Sequence, residues 1–359
     1  MWPDRRILDL FGIEHPILQA PMAGPCFADM AIAVAEAGGL GSLPTATMAP
    51  DQARSEIQIV RQQTSRPINL NFFCHQDPVP DETREAQWRR MLGPYYSEFG
   101  IDPAGPIPTS SRAPFNDALC RMVEEFRPEV VSFHFGLPDP SLLERVRKAG
   151  AKIISSATTV AEARWLEARG CDAIIAQGNE AGGHRGIFLS DDVLRDAAGQ
   201  PGTFALVPQV VDAVKVPVIA AGGISDARGI VAALALGASA VQVGTAYLFC
   251  PEARISAPHL AALKAAKDDA TALTNIFTGR PARGFVNRVM RELGPITRAA
   301  PAFPLAGGAL APLKAKAEGD FGSLWSGQAA ALAAHRSLGA GELTRTLAAE
   351  ALQRLNRNG

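Results

Sequence analysis

Two histidines stand where a protein could use them for proton chemistry. His184 lies in the glycine-rich stretch NEAGGHRG (Asn179 to Gly186) and His134 in SFHFG. Imidazole titrates near neutrality, so it suits abstracting a proton or holding an anion. Glycine gathered around one histidine implies close backbone approach or positive φ. The segment reads as a flexible loop presenting His184. A lone strand histidine such as His134 is as readily a packed core residue. Arg185 reads as a surface ion-pair residue, and His75 is a third option at the start of a long polar segment. His15, His259 and His335 read as structural or exposed.

Glycine also clusters in AAGGIS (Ala220 to Ser225) and QVGTAYL (Gln242 to Leu248). Gly222, Gly223, Gly244 and Thr245 offer bare backbone N–H groups and one hydroxyl, which suit a phosphate. The other reading is two tight turns with no ligand. QAPM, with Ala20, Pro21 and Met22, leaves amide groups free to bond the edge of a flat ring while Met22 packs on its face. In NLNFF, Asn69 could pair with a ring amide. Gln177 and the glycines after it, Gly182 among them, complete a set that would surround a ring with a phosphate tail.

These residues need elements to position them. Eight continuously apolar runs begin at His15, Gly38, Arg66, Glu129, Ala151, Cys171, Val216 and Ala238. Runs of this kind are strands buried on both faces of a parallel sheet. Amphipathic stretches follow most of them, and most end at glycine. Alternation of this kind with eight strands predicts an α/β fold, a (β/α)8 TIM barrel, whose active site gathers at the C-terminal strand ends. A doubly wound open sheet is the structural alternative. Residues 1–250 form the expected barrel, with an insertion over about 74–128 after strand 3. Residues 251–359 form a C-terminal helical cap segment that completes the mouth.

Bulk properties exclude several classes. The chain has 359 residues, 47% hydrophobic, with a formal net charge of −1. A sizeable core follows, and no nucleic-acid or anionic-membrane surface. The five cysteines are dispersed, without a C-x-x-C pair. That argues against a disulfide framework and a structural zinc site, so no metal is expected. No secretory signal and no apolar run of about 18 residues is visible. A cytoplasmic protein, monomer or homodimer, is the expectation.

QAPMAG, INLNFF, VVSFHFGLP, QGNEAGGHRG, VIAAGGI and QVGTAYL together resemble the nitronate monooxygenases, formerly 2-nitropropane dioxygenases. The likeness is to their class I members. It runs from about Pro16 to Cys250 and resumes at LWSGQAA (Leu324 to Ala330). It departs after QAPMAG, where PCFAD stands in place of a Gly/Thr/Ser-rich turn. The resemblance implies an FMN flavoprotein. Pro21, Met22, Asn69, Gln177, Gly182, Gly222, Gly244 and Thr245 would bind FMN, and Gly327 and Gln328 would reach it from the C-terminal segment. His184 would be the active-site histidine and His134 a second pocket histidine. The implied reaction takes alkyl nitronates, such as propionate 3-nitronate, and nitroalkanes with O2 to a carbonyl compound and nitrite through a flavin semiquinone. With a neutral nitroalkane, His184 would first take the α-proton.

Three rival readings share this framework. An NAD(P)H-dependent flavin reductase of quinone or enoyl-acyl-carrier-protein type could use the same barrel, although no G-x-G-x-x-G follows a strand. A phosphosugar-handling barrel would lack the flavin. A non-catalytic FMN- or phosphate-binding module would need neither histidine.

Overall fold

The computed structural model describes residues 1–108 and 112–358. Residues 109–111, in the Pro/Ser-rich part of the expected insertion, and the terminal Gly359 lie outside the described residues. The strands, in chain order, are β1 (Ile17–Gln19), β2 (Gly41–Pro44), β3 (Ile68–Phe73), β4 (Val130–His134), β5 (Lys152–Ala157), β6 (Ala173–Gln177), β7 (Gly183–His184), β8 (Val218–Ala221), β9 (Ala240–Val243), β10 (Thr271–Thr274) and β11 (Ala282–Phe285).

Eight of these form one parallel sheet in the order β1-β9-β8-β6-β5-β4-β3-β2. A parallel bridge from Leu18 to Leu40 joins its two ends, so the sheet closes into the expected barrel. The continuous apolar runs follow from burial on both faces: Ile68, Leu70 and Phe72 in β3, and Val130, Val131 and Phe133 in β4, are fully covered. Polar side chains sit inside the barrel. Asn69 donates to Ser42 Oγ at 3.0 Å and Asn71 to Ser132 Oγ at 3.0 Å. Buried polar groups need such partners.

The eighth outer helix comes from the end of the chain. Ala340–Asn358 packs between the helices Ala28–Glu36 and Ala227–Ala235. Thr344 on it bonds the Tyr247 hydroxyl at 2.7 Å. Residues between β9 and this helix build the cap. The helix Glu82–Glu98, from the segment after β3, joins that cap, and its Trp88, Leu92 and Tyr96 share a second apolar core with Phe277, Leu310 and Phe321. The helix Asp117–Phe126 belongs instead to the barrel's outer ring, beside Pro50–Gln63 and Pro140–Lys148.

A second, three-stranded antiparallel sheet (β10-β11-β7) links cap to barrel. Its β7 is Gly183 and His184, paired with Arg283 and Ala282. The stretch expected as a flexible loop is therefore a pinned strand.

Trp88 helps tie the two halves of the cap together. It is 1% exposed, and its indole N–H donates to the Ala306 carbonyl at 3.0 Å. Trp88→Ala is expected to destabilise the protein by about 3–5 kcal/mol, read as a lowered denaturant midpoint. An unchanged midpoint would mean the cap core contributes little to stability.

Candidate active site

A cavity of about 610 Å³ opens at the C-terminal ends of the strands, roofed by the cap. Ala20, Pro21, Met22, Gln177 and Gly182 all line it, as do Gly222, Gly223, Gly244, Thr245 and Gly327. So do His134 and His184. Two expected residues are not brought there. Asn69 lies one layer deeper, bonded to Ser42, while Asn71 lines the cavity two positions on along β3. The Gln328 side chain is exposed, and only its backbone N–H is engaged, with the Glu180 carbonyl at 3.0 Å.

One end of the cavity is built for an anion. Gly222 and Gly223 have φ of 114° and 69°, which only glycine adopts without strain. A Cβ on Gly222 would lie 2.7 Å from Thr203 Oγ1. The amides of Gly222, Gly223, Gly244 and Thr245 find no partner among the described residues. Thr245 Oγ1 accepts from the Gly327 N–H at 2.9 Å, which ties the cap to this end. Glu180 also lines it, but its carboxylate is held by the amide and hydroxyl of Thr203 at the start of the helix Thr203–Ala213. Preformed donors with no internal partner fit a phosphate.

The other end is aromatic and cationic. Ring centroids of Phe303, Trp325, Phe135 and Phe73 stand 5.3, 5.6, 5.9 and 6.2 Å from that of His184. Arg112 lines the same space. Burial holds the His184 imidazole well below the usual histidine range, and the charges of Arg112, His134, Arg280 and His75 push it further. It is therefore neutral at neutral pH, the form that can accept a proton. Its Nε2 is 2.9 Å from Thr278 Oγ1. Its Nδ1 has no partner among the described residues.

His134 is differently used. Its Nε2 lies 3.2 Å from the His184 carbonyl and its Nδ1 3.0 Å from Ser156 Oγ. A carbonyl only accepts, so Nε2 carries the proton and Nδ1 accepts from the serine. Burial pushes this group down to about 3, so it stays neutral. Both nitrogens are taken, and His134 supports the wall rather than offering a free group. Gln177 acts on the same carbonyl. Its Nε2 donates to His184 O at 3.0 Å and its Oε1 accepts from Gly186 N–H at 2.8 Å.

Arg185 corrects the expectation of a surface ion pair. It is fully buried and faces away from the cavity, donating to the carbonyls of Gln177 and Gly178 and to Gln200 Oε1. His75 packs behind the aromatic wall, 4.9 Å from the Phe303 ring. His259, expected to be structural or exposed, lines the cavity as well, and its Nε2 bonds the Trp325 carbonyl at 3.0 Å. Asn71, Arg112, Trp325 and Thr278 were not singled out from the sequence. Only Asn71 carried a local signal, since strand ends face the mouth and it is nearer the end than Asn69.

Comparison with known proteins agrees with this architecture. The family description "Nitronate monooxygenase" matches residues 4–350. The nitronate monooxygenase of Paraburkholderia phytofirmans is 44% identical over 356 residues, covering 97% of this chain and 95% of that protein. Among solved structures, nitroalkane oxidase from Streptomyces ansochromogenes superposes with a TM-score of 0.88 at 40% identity, covering 98% of this chain and 99% of that one. FabK from Thermotoga maritima gives a TM-score of 0.73 at 29% identity, covering 98% and 97%. From residue 4 to residue 350, this chain belongs to the nitronate monooxygenase family of oxidoreductases.

Proposed function

We propose that the protein is an FMN-dependent enzyme that oxidises alkyl nitronates, and the nitroalkanes from which they form, with O2 to a carbonyl compound and nitrite. The observation that carries this reading is the cavity's two-ended chemistry: unpartnered glycine amides at one end, a neutral histidine beside an arginine at the other.

The residues present fit FMN. Gly222, Gly223, Gly244 and Thr245 would hold its phosphate. Pro21, Met22, Asn71 and Gln177 would surround its ring, and Gly327 would close the cavity from the cap. Bound there, FMN would supply the redox chemistry, taking electrons from the substrate. The chain's own residues do the rest. Arg112 favours an anionic substrate. The rings of Phe73, Phe303 and Trp325 exclude water from the reacting carbon. When the substrate is a neutral nitroalkane, His184 takes its α-proton, and the electron pair left behind makes the nitronate. His134 and Gln177 hold the His184 backbone while this happens.

Anaerobic mixing of the flavin-loaded protein with propionate 3-nitronate should change its visible spectrum rapidly, and NADPH should not. Bleaching by NADPH with no response to the nitronate would move the protein to the reductase reading. His184→Ala should lower kcat/KM for nitroethane by about 10²–10⁴-fold, with a much smaller loss on ethyl nitronate. Protonation below its depressed pKa removes the base, so the wild-type rate on nitroethane should hold as pH falls through about 6.5 and decline only at lower pH. Equal turnover of both substrates by His184→Ala would remove His184 from the mechanism. Asn71→Ala should weaken flavin binding by roughly tenfold, measured by the fluorescence of released flavin, and Asn69→Ala should not. The reverse result would place the ring one layer deeper.

A further inference from the structure

Proton abstraction needs more than a neutral imidazole. It needs the bare nitrogen to face the substrate, and a neutral imidazole has only one. We propose that Thr278 of the cap is the positioning residue that sets the tautomer of His184, keeping the proton on Nε2 and the lone pair on Nδ1. The inference rests on the reading of His184 as the base.

Three observations carry it. Thr278 Oγ1 lies 2.9 Å from His184 Nε2, the only side-chain partner of that ring among the described residues. The same hydroxyl reaches the Arg280 carbonyl at 3.4 Å. A hydroxyl has one proton, and a carbonyl can only accept. Given to Arg280, that proton leaves the threonine oxygen as an acceptor, and His184 Nε2 must then donate to it. Third, the turn is buried and closely packed. Thr278 is 1% exposed. The next residue, Gly279, has φ of 94°, and a Cβ there would lie 2.3 Å from the Pro301 carbonyl and 2.6 Å from the Phe303 amide. The turn is thus pressed against the backbone that carries the Phe303 ring, which stands 5.3 Å from the His184 ring. A hydroxyl so held keeps one orientation, as partners of the second ring nitrogen do in other histidine sites.

The proton balance is closed. The α-carbon's C–H bond breaks, an N–H bond forms at Nδ1, and the electron pair stays on the substrate as the nitronate. The imidazolium that results keeps its Nε2–H bond to Thr278, so no second proton need move.

The test compares Thr278→Val, which keeps the shape and removes the hydroxyl, with Thr278→Ser, which restores it. In protein labelled with ¹⁵N-histidine, the His184 resonances should show Nε2 protonated and Nδ1 bare in the wild type and Thr278→Ser, and mixed tautomers in Thr278→Val. His184→Ala assigns the signals. Thr278→Val should lower kcat/KM for nitroethane on the order of 10-fold and leave ethyl nitronate within about twofold, and Thr278→Ser should recover the loss. An unchanged tautomer and unchanged nitroethane rate in Thr278→Val would overturn the inference. So would equal losses on both substrates that serine does not rescue, since that is what a packing role alone would produce. Failure of the underlying reading looks different: His184→Ala itself would then leave nitroethane turnover intact.

Discussion

The carbonyl oxygen of His184 accepts from Gln177 at the end of β6 and from His134 at the end of β4. Ser156, from β5 between them, bonds the other side of His134. Three adjacent barrel strands thus converge on one backbone atom outside the barrel. The rest of the site depends on this convergence. It fixes where the His184 ring starts, and the pairing of β7 with β11 fixes the direction in which the chain continues. The glycines are needed because so much backbone meets here. A Cβ on Gly186 would lie 3.0 Å from His134 Cε1, and one on Gly182 would lie 2.5 Å from the Gly327 amide. Arg185, fully buried behind the strand, ties the preceding carbonyls of Gln177 and Gly178 to the same body.

Electrostatics then divides the cavity. At one end, backbone amides supply partial positive charge, and the Glu180 carboxylate that also lines it is turned onto the amide and hydroxyl of Thr203. At the other end, Arg112 lies close to His184, and Arg280 and His75 add to the field that it feels. A base in such surroundings is weak until an anion arrives. Under the proposed reaction the charge pattern would couple the two events: forming the nitronate would create the negative charge that makes the imidazolium tolerable. Burial strengthens both effects, since charges interact more strongly away from water.

Much of this was legible in the sequence. The barrel was, because runs such as INLNFF and VVSFH stay apolar where a half-exposed strand would alternate. The glycine-lined end of the cavity was, because Gly222 and Gly244 fall at the ends of the last two barrel strands. Other residues were legible only in part. Asn69 and Asn71 share the inward face of β3 by the two-residue period, and depth alone separates them. Gly327 reaches the cavity while its neighbour Gln328 points to solvent, a distinction the cap's path decides. The guanidinium of Arg185 could not be read at all. A charge among glycines suggests a solvated turn, and only the folded chain shows three acceptors gathered around it. Trp325 lies in the LWSGQAA stretch but was not singled out, and Thr278 and Arg112 carried no local signal, since each comes from a segment outside the strand ends.

That last group explains why the cap is built as it is. Its apolar core joins a helix inserted after β3 with residues beyond β9, and the chain's final helix returns to complete the barrel's outer ring. The cap is therefore anchored to the barrel at both of its ends. A cap anchored only once could open about a hinge, and the His184–Thr278 contact would loosen with it. Held twice, and joined to β7 by a shared sheet, the cap places Thr278 and the Phe303 ring with the precision of barrel residues. The two sources also divide the work. Barrel strands supply the glycine-lined end of the cavity and the clamp on the His184 carbonyl. The cap supplies Trp325 to the cavity lining, and the segment after β3 supplies Arg112. Changes confined to the cap can then reshape its side of the cavity without disturbing the glycine-lined end built by the barrel.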